Sequence, residues 1–371
     1  MNERAKRKNS GEAGGGWETL PVTFGDRMVA QMQGLGDMQV HAVVYPQGKL
    51  DVSRVRHAVW ATVTSVPILS CRLSKDRFGG VWKRRESLRA DEVFSTEELP
   101  SGAGPQKRDE AVRRYLSLPS DPAQDPLLQA KLIRGSESAG DALCLKLNHL
   151  AGDGGAGKDA LYLVSRYYEE GAQGSQEGQG SSPVSSPPPP RGLEVLFRHL
   201  TLSQRLQALA HTARDGGAMV SPPRYWNMAT PGSREARRWA RRDYVLHRFD
   251  PEETHRLRRR AKALGATLND LFLAAYGLAL EQVLPPRGPK TPLRLRMTVD
   301  LRRYLPSRRA PTLCNLSGFS YLNLGRVPLG LPLSQLVDVV RRETQRQKRG
   351  VLGLTDWTWT RPLQGRGLSP V

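Results

Sequence analysis

Cysteine is scarce in this chain of 371 residues. Cys71, Cys144 and Cys314 are the only three; they lie far apart, and none has metal-ligand spacing. An odd, scattered set argues against a disulfide framework or a zinc finger and fits reduced, buried thiols in a cytoplasmic protein. No uninterrupted apolar run approaches the roughly 18 residues of a membrane helix. The start, "MNERAKRKNS", leads into "GEAGGG" rather than an apolar segment, so no secretory signal is read there. Hydrophobic residues make up 38% of the chain, held down by polar, Gly- and Pro-rich stretches that stay outside a core.

Acidic residues are also in deficit. There are 36 Asp and Glu against 56 Lys and Arg, a formal net charge of +20. The densest basic stretches are "SREARRWARRDY" (233–244) and "HRLRRRAKAL" (255–264). They read as solvated helix faces, or as a field that attracts an anionic partner such as a phosphorylated cofactor or an acidic carrier protein. No zinc-finger spacing or ribonucleoprotein aromatic motif accompanies the charge, so nucleic acid is not an expected partner.

What is present divides the chain. Residues 1–16 read as a disordered basic terminus, and 17–170 alternate strands and helices. "MQVHAVVY" (38–45) reads as a strand, and Val55, Ala58, Val59, Thr62 and Val63 fall at helical spacing after it. "PILSCRL" (67–73) and "GVWKRRE" (80–86) read as strands flanking a turn. The Gly/Ser/Pro-rich stretch 171–192 cannot bury a core and reads as a linker. Residues 193–371 form a second α/β half. "RRETQRQKRG" (341–350) is a late helix, and the tail beyond about 350 reads as neither strand nor helix, as in a truncated chain.

The richest stretch is "ALCLKLNHLAGDGGAGKDALYLVSRYYEE" (142–170). Leu143, Leu145, Leu147 and His149 share one face of a strand; Cys144, Lys146 and Asn148 share the other. His149 thus ends an apolar row where it meets a glycine-rich turn. A histidine there has low local dielectric and restricted rotamers, which suit a general base. It also suits a core histidine hydrogen-bonded at a strand end. The helix that follows, 158–170, turns Leu161, Val164, Tyr167 and Tyr168 inward.

A nucleotide site competes for the same residues, because Gly152-x-x-x-x-Gly157-Lys158 is most of a phosphate-binding P-loop. Its chemistry is wrong at one position: the hydroxyl that should follow the lysine is Asp159, an anion beside the phosphates. A second copy of the histidine pattern, His211 to Asp215-Gly216, lies in the helical stretch 203–217 and reads as a surface i, i+4 pair before a glycine stop.

"NHLAGDGG" resembles the His-His-x-x-x-Asp-Gly signature of the condensation-domain and chloramphenicol-acetyltransferase-like acyltransferases, relatives of wax ester synthases and alcohol acetyltransferases. Residues 48–73 are similar to that family's opening strand–helix–strand, 265–280 to the helix opening its second lobe, and 297–323 to its later strands. The resemblance implies a two-lobed α/β chloramphenicol-acetyltransferase-like fold, its second lobe incomplete if the tail is truncated. It implies transfer of an acyl group from a coenzyme A or carrier-protein thioester to an alcohol or amine, with no permanently bound cofactor and no metal. His149 takes the place of the catalytic histidine. Asp153 and Gly154 match the structural aspartate and glycine. Arg302 is the expected partner of Asp153, with Arg303 next. Asn148 stands where the first signature histidine would be. Asn148, Gly155 and Ser317 are candidate substrate or oxyanion contacts. Asn269 and Asp270 match a wax-ester-synthase-like motif, but Thr267-x-x-Asp270 reads from the residues as a helix capping box, and that role is preferred. A catalytically impaired member of the same fold and a P-loop-like protein remain the alternative functions.

Overall fold

The computed structural model describes residues 17–32, 38–74, 80–137, 139–171, 187–220, 246–283, 292–325 and 330–354, except the side chains of 31, 212–220 and 283. The terminus 1–16, the stretch 172–186, the arginine-rich run 233–244 and the tail 355–371 lie outside the described residues.

The first half runs β1 (Thr19–Pro21), α1 (Phe24–Met32), β2 (Gln39–Val44), α2 (Val52–Ser65), β3 (Cys71–Ser74), β4 (Val81–Arg84), α3 (Ala90–Val93), β5 (Phe94–Glu98), α4 (Pro105–Leu116), β6 (Leu128–Arg134), β7 (Ala142–Asn148) and α5 (Gly154–Glu170). The second half runs α6 (Glu194–Phe197), α7 (Leu202–Val220), α8 (Pro251–Ala263), α9 (Leu268–Val283), β8 (Arg294–Asp300), β9 (Ser317–Asn323) and α10 (Leu333–Lys348). Among the described residues the strands form sheets of order β2-β7-β6-β5, β1-β4-β3 and β8-β9.

β7 sits between antiparallel neighbours β2 and β6, and every one of its residues is buried. Leu143, Leu145 and Leu147 face the main core with α2 and α5, as the alternation predicts. The opposite face is not solvent: Ala142 and Cys144 pack under Ala111, Val112, Tyr115 and Leu116 of α4. Lys146, on that same face, is buried, with its ammonium 4.7 Å from the Tyr115 ring centre. α2 buries the five residues read at helical spacing, and its Asp51 caps the helix by accepting from the Arg54 amide at 2.9 Å.

Several local expectations are corrected. Pro67–Ser70 form a 3₁₀ turn rather than the start of a strand, because Pro67 supplies no amide to a ladder. α5 begins at Gly154, four residues earlier than its apolar spacing suggests, because Asp153 caps it. α7 continues through Gly216 and Gly217 to Val220. Arg191 and Gly192, at the end of the linker-like stretch, are buried. Val351, Leu352 and Leu354 are buried in a second core with Val299, Leu301 and Leu316. Tyr304 also donates its hydroxyl to the Leu352 carbonyl at 2.8 Å. Of the two basic stretches, 255–264 falls in and just beyond α8. There Arg256, Arg258, Arg259 and Arg260 are exposed and Ala261 faces inward, a solvated helix face. Among the described residues no single helix is long and apolar enough to cross a membrane.

Candidate active site

His149 follows the last residue of β7, and its backbone stays in the ladder: the His149 amide donates to the Met38 carbonyl at 3.0 Å, one rung beyond the Gln39–Asn148 pair. Its side chain is half-buried, and Nδ1 is buried with no hydrogen-bond partner among the described residues. The chain then turns through Leu150, Ala151 and Gly152. Asn148 is buried and stabilises that turn by accepting the Leu150 amide on its side-chain oxygen at 3.1 Å.

Asp153 ends the turn. Its side chain accepts the Ala156 amide at 3.0 Å, capping α5, and its backbone carbonyl accepts the Gly157 amide at 2.8 Å. From the second half, Arg302 Nη1 lies 2.9 Å from Oδ1 and 3.1 Å from Oδ2. The Leu316 amide and the Ser317 hydroxyl donate to Oδ2 at 2.8 and 2.9 Å. Arg302 also donates to the Cys314 carbonyl at 3.0 Å. Arg303 is exposed and takes no part. Burial pushes the Asp153 carboxyl up, but the Arg302 guanidinium and the hydrogen bonds outweigh it, and the group lies below the ordinary carboxylate range.

Gly155 lets Arg302 approach: a β-carbon there would run into the guanidinium. Gly154 is exposed with open space around it. Ser317 is one of the candidate substrate or oxyanion contacts. Its proton instead goes to Asp153, because a buried carboxylate draws in every nearby donor. Of the loop amides, those of Ala156 and Gly157 are likewise engaged within the cap.

The P-loop reading is overturned by the same geometry. A phosphate would need the amides at the start of α5, where the Asp153 carboxylate already sits. Gly157 and Lys158 are inside the helix rather than before it, and Lys158 is exposed. At the other motif copy, His211 lies mid-helix in α7 against Gly350; the Asp215 side chain is outside the described residues. Thr267 and Asp270 form the capping box. The Thr267 amide donates to Asp270 at 2.9 Å and the Asp270 amide to Thr267 Oγ1 at 3.2 Å. Thr344 of α10 donates its hydroxyl to the other Asp270 oxygen at 2.7 Å, while Asn269 is exposed.

A buried group absent from the sequence reading lies beside this turn. Asp26 in α1 has no exposed surface and pairs with Arg191 at 3.2 Å, and Asn315 donates to it at 3.1 Å. Nothing local marked these residues. They stand 165 and 289 positions from Asp26, and the only signal was an arginine closing a proline run.

The fold that brings these residues together is similar to that of known structures. The first condensation domain of the CDA synthetase matches with a TM-score of 0.62 at 16% identity, over 95% of this chain and 79% of that one. Polyketide synthase associated protein 5 from Mycobacterium tuberculosis matches with a TM-score of 0.56 at 18% identity, over 94% and 78%. The starter condensation domain of rhizomide synthetase, in complex with C8-CoA, matches with a TM-score of 0.59 at 16% identity, over 93% and 75%. The chain has the fold of these condensation domains. Within it, residues 240–326 match the family model described as phthiocerol/phthiodiolone dimycocerosyl transferase C-terminus. A sequence search of curated proteins gives no match.

Proposed function

We propose that the protein transfers an acyl group from a coenzyme A or carrier-protein thioester to an alcohol or amine, with His149 as the base. The observation that carries this is His149 itself: held in the sheet by its backbone, half-buried, beside a turn pinned from the other half of the chain. In the reaction the imidazole takes the proton of the acceptor hydroxyl or amine as that atom attacks the thioester carbonyl. A tetrahedral oxyanion forms. Its collapse breaks the carbon–sulfur bond, and the imidazolium returns the proton to the leaving thiolate. With Ser317 and the amides of Ala156 and Gly157 engaged, the backbone amides left in the 152–157 loop are the donors this reading gives to the oxyanion. Asp153 and Arg302 hold the turn and touch neither substrate.

The fold's likeness to a condensation domain captured with C8-CoA supports a thioester donor. The net positive charge suits an anionic one. The test is release of free thiol from acyl-coenzyme A in the presence of a panel of alcohols and amines. His149→Ala is expected to lower the rate by roughly 10²–10⁴ with the melting temperature retained, and His211→Ala to leave it at the wild-type level. Equal rates for wild type and His149→Ala overturn the assignment.

A further inference from the structure

The second buried ion pair reaches the same turn by a different route. Arg191 donates from Nη1 to Asp26 Oδ2 at 3.2 Å, from Nη2 to the Ala151 carbonyl at 2.9 Å and from Nε to the Leu313 carbonyl at 2.9 Å. Asn315 uses one side-chain nitrogen twice, toward Asp26 Oδ1 and toward the Leu150 carbonyl, both at 3.1 Å. Both partners are acceptors, so only one orientation of that amide satisfies them. The Trp82 ring nitrogen and the Thr23 amide complete the Asp26 carboxylate, each at 3.1 Å. α1 closes directly on this segment: a β-carbon on Gly25 would stand 2.7 Å from the Asn315 β-carbon.

Leu150 and Ala151 are the two residues after His149, and both of their carbonyls are held by this network. A buried ion pair is weak evidence for stability, since apolar side chains can fill the same space without loss. What apolar residues cannot supply is a directed donor to each of two successive carbonyls. We propose that Asp26, Arg191 and Asn315 are positioning residues for His149. They fix the peptide planes that follow it, and through them the direction in which the imidazole faces the acceptor. The inference rests on His149 being the base of the proposed transfer.

The test uses the full chain with Asn315→Ala and, separately, Gly25→Ala, whose methyl displaces Asn315. Melting temperature, kcat and KM for thiol release, and the imidazole chemical shifts of His149 are measured; the last are picked out from the seven histidines by comparison with His149→Ala. Both variants are expected to fold, to lose roughly 10-fold or more in kcat with little change in KM, and to move the His149 resonances, because a small misplacement of a reacting group costs rate rather than affinity. Variants that melt lower but keep wild-type kcat and His149 resonances overturn the inference. If His149→Ala transfers as fast as wild type, it is the base assignment that fails. The His149 resonances of Asn315→Ala then still decide whether the network orients that ring.

Discussion

The two oxygens of Asp153 serve the Ala156 and Leu316 amides, the Ser317 hydroxyl and the Arg302 guanidinium, so one side chain caps a helix and ties two halves of the chain together. Removing one partner of such a buried pair leaves the other charge uncompensated and typically costs about 3–5 kcal/mol. Asp153→Asn and Arg302→Ala are each expected to lower stability by that order. The double variant should be less damaged than the sum, as a double-mutant cycle in denaturant would measure. The sign of the pH dependence follows from the lowered carboxyl. A group depressed in the folded state stabilises above its unfolded value, near 4, and that stability is lost as pH falls through the folded value. Wild type should therefore lose stability in acid more steeply than Asp153→Asn, read as melting temperature between about pH 5 and pH 2.

At the scale of the element, α5 opens with two adjacent glycines that the structure distinguishes. Alanine is favoured over glycine in a helix by up to about 1 kcal/mol. Gly154→Ala, into open space, should be neutral or slightly stabilising. Gly155→Ala should do the reverse, because its methyl meets an Arg302 guanidinium that Asp153 and the Cys314 carbonyl hold in place. Thermal melting of the two variants side by side checks the contrast. The elements themselves were largely legible: β2, α2 and β7 follow from period-2 and helical spacing, and the pairing of Asp153 with Arg302 was implied by the resemblance to the Asp-Gly signature. What escaped was whatever depends on distant partners. The carboxylate that caps α5 looked like part of a loop, and nothing within β7 itself signals that α4 covers its second face. The Asp26–Arg191–Asn315 network joins three segments with no local pattern in common. Ser317 shows the same limit inside the site, because its hydroxyl could not be known to be taken until Asp153 stood beside it.

For the whole molecule the excess of basic side chains sets a long-range field, a matter of association rather than of fold. If the donor is anionic, kcat/KM for acyl-coenzyme A should fall several-fold as salt is raised from low to physiological strength, where charges beyond about 8 Å are screened. An uncharged thioester of the same acyl group should show little change. Equal salt dependence for both donors would remove electrostatic attraction from the account of donor binding.

The three thiols lie one each in three separate cores: Cys71 with α2 and the main sheet, Cys144 under α4, and Cys314 in the core with Val351, Leu352 and Leu354. Burial pushes each up to about 12. Since thiolate is the reactive form, a disulfide reagent should leave the native protein untouched. Each cysteine then becomes a clock for the opening of its own core. Two single-cysteine variants, keeping Cys71 or Cys314, would report in the same denaturant whether the halves let go together or one after the other, from a chemistry that plays no part in catalysis.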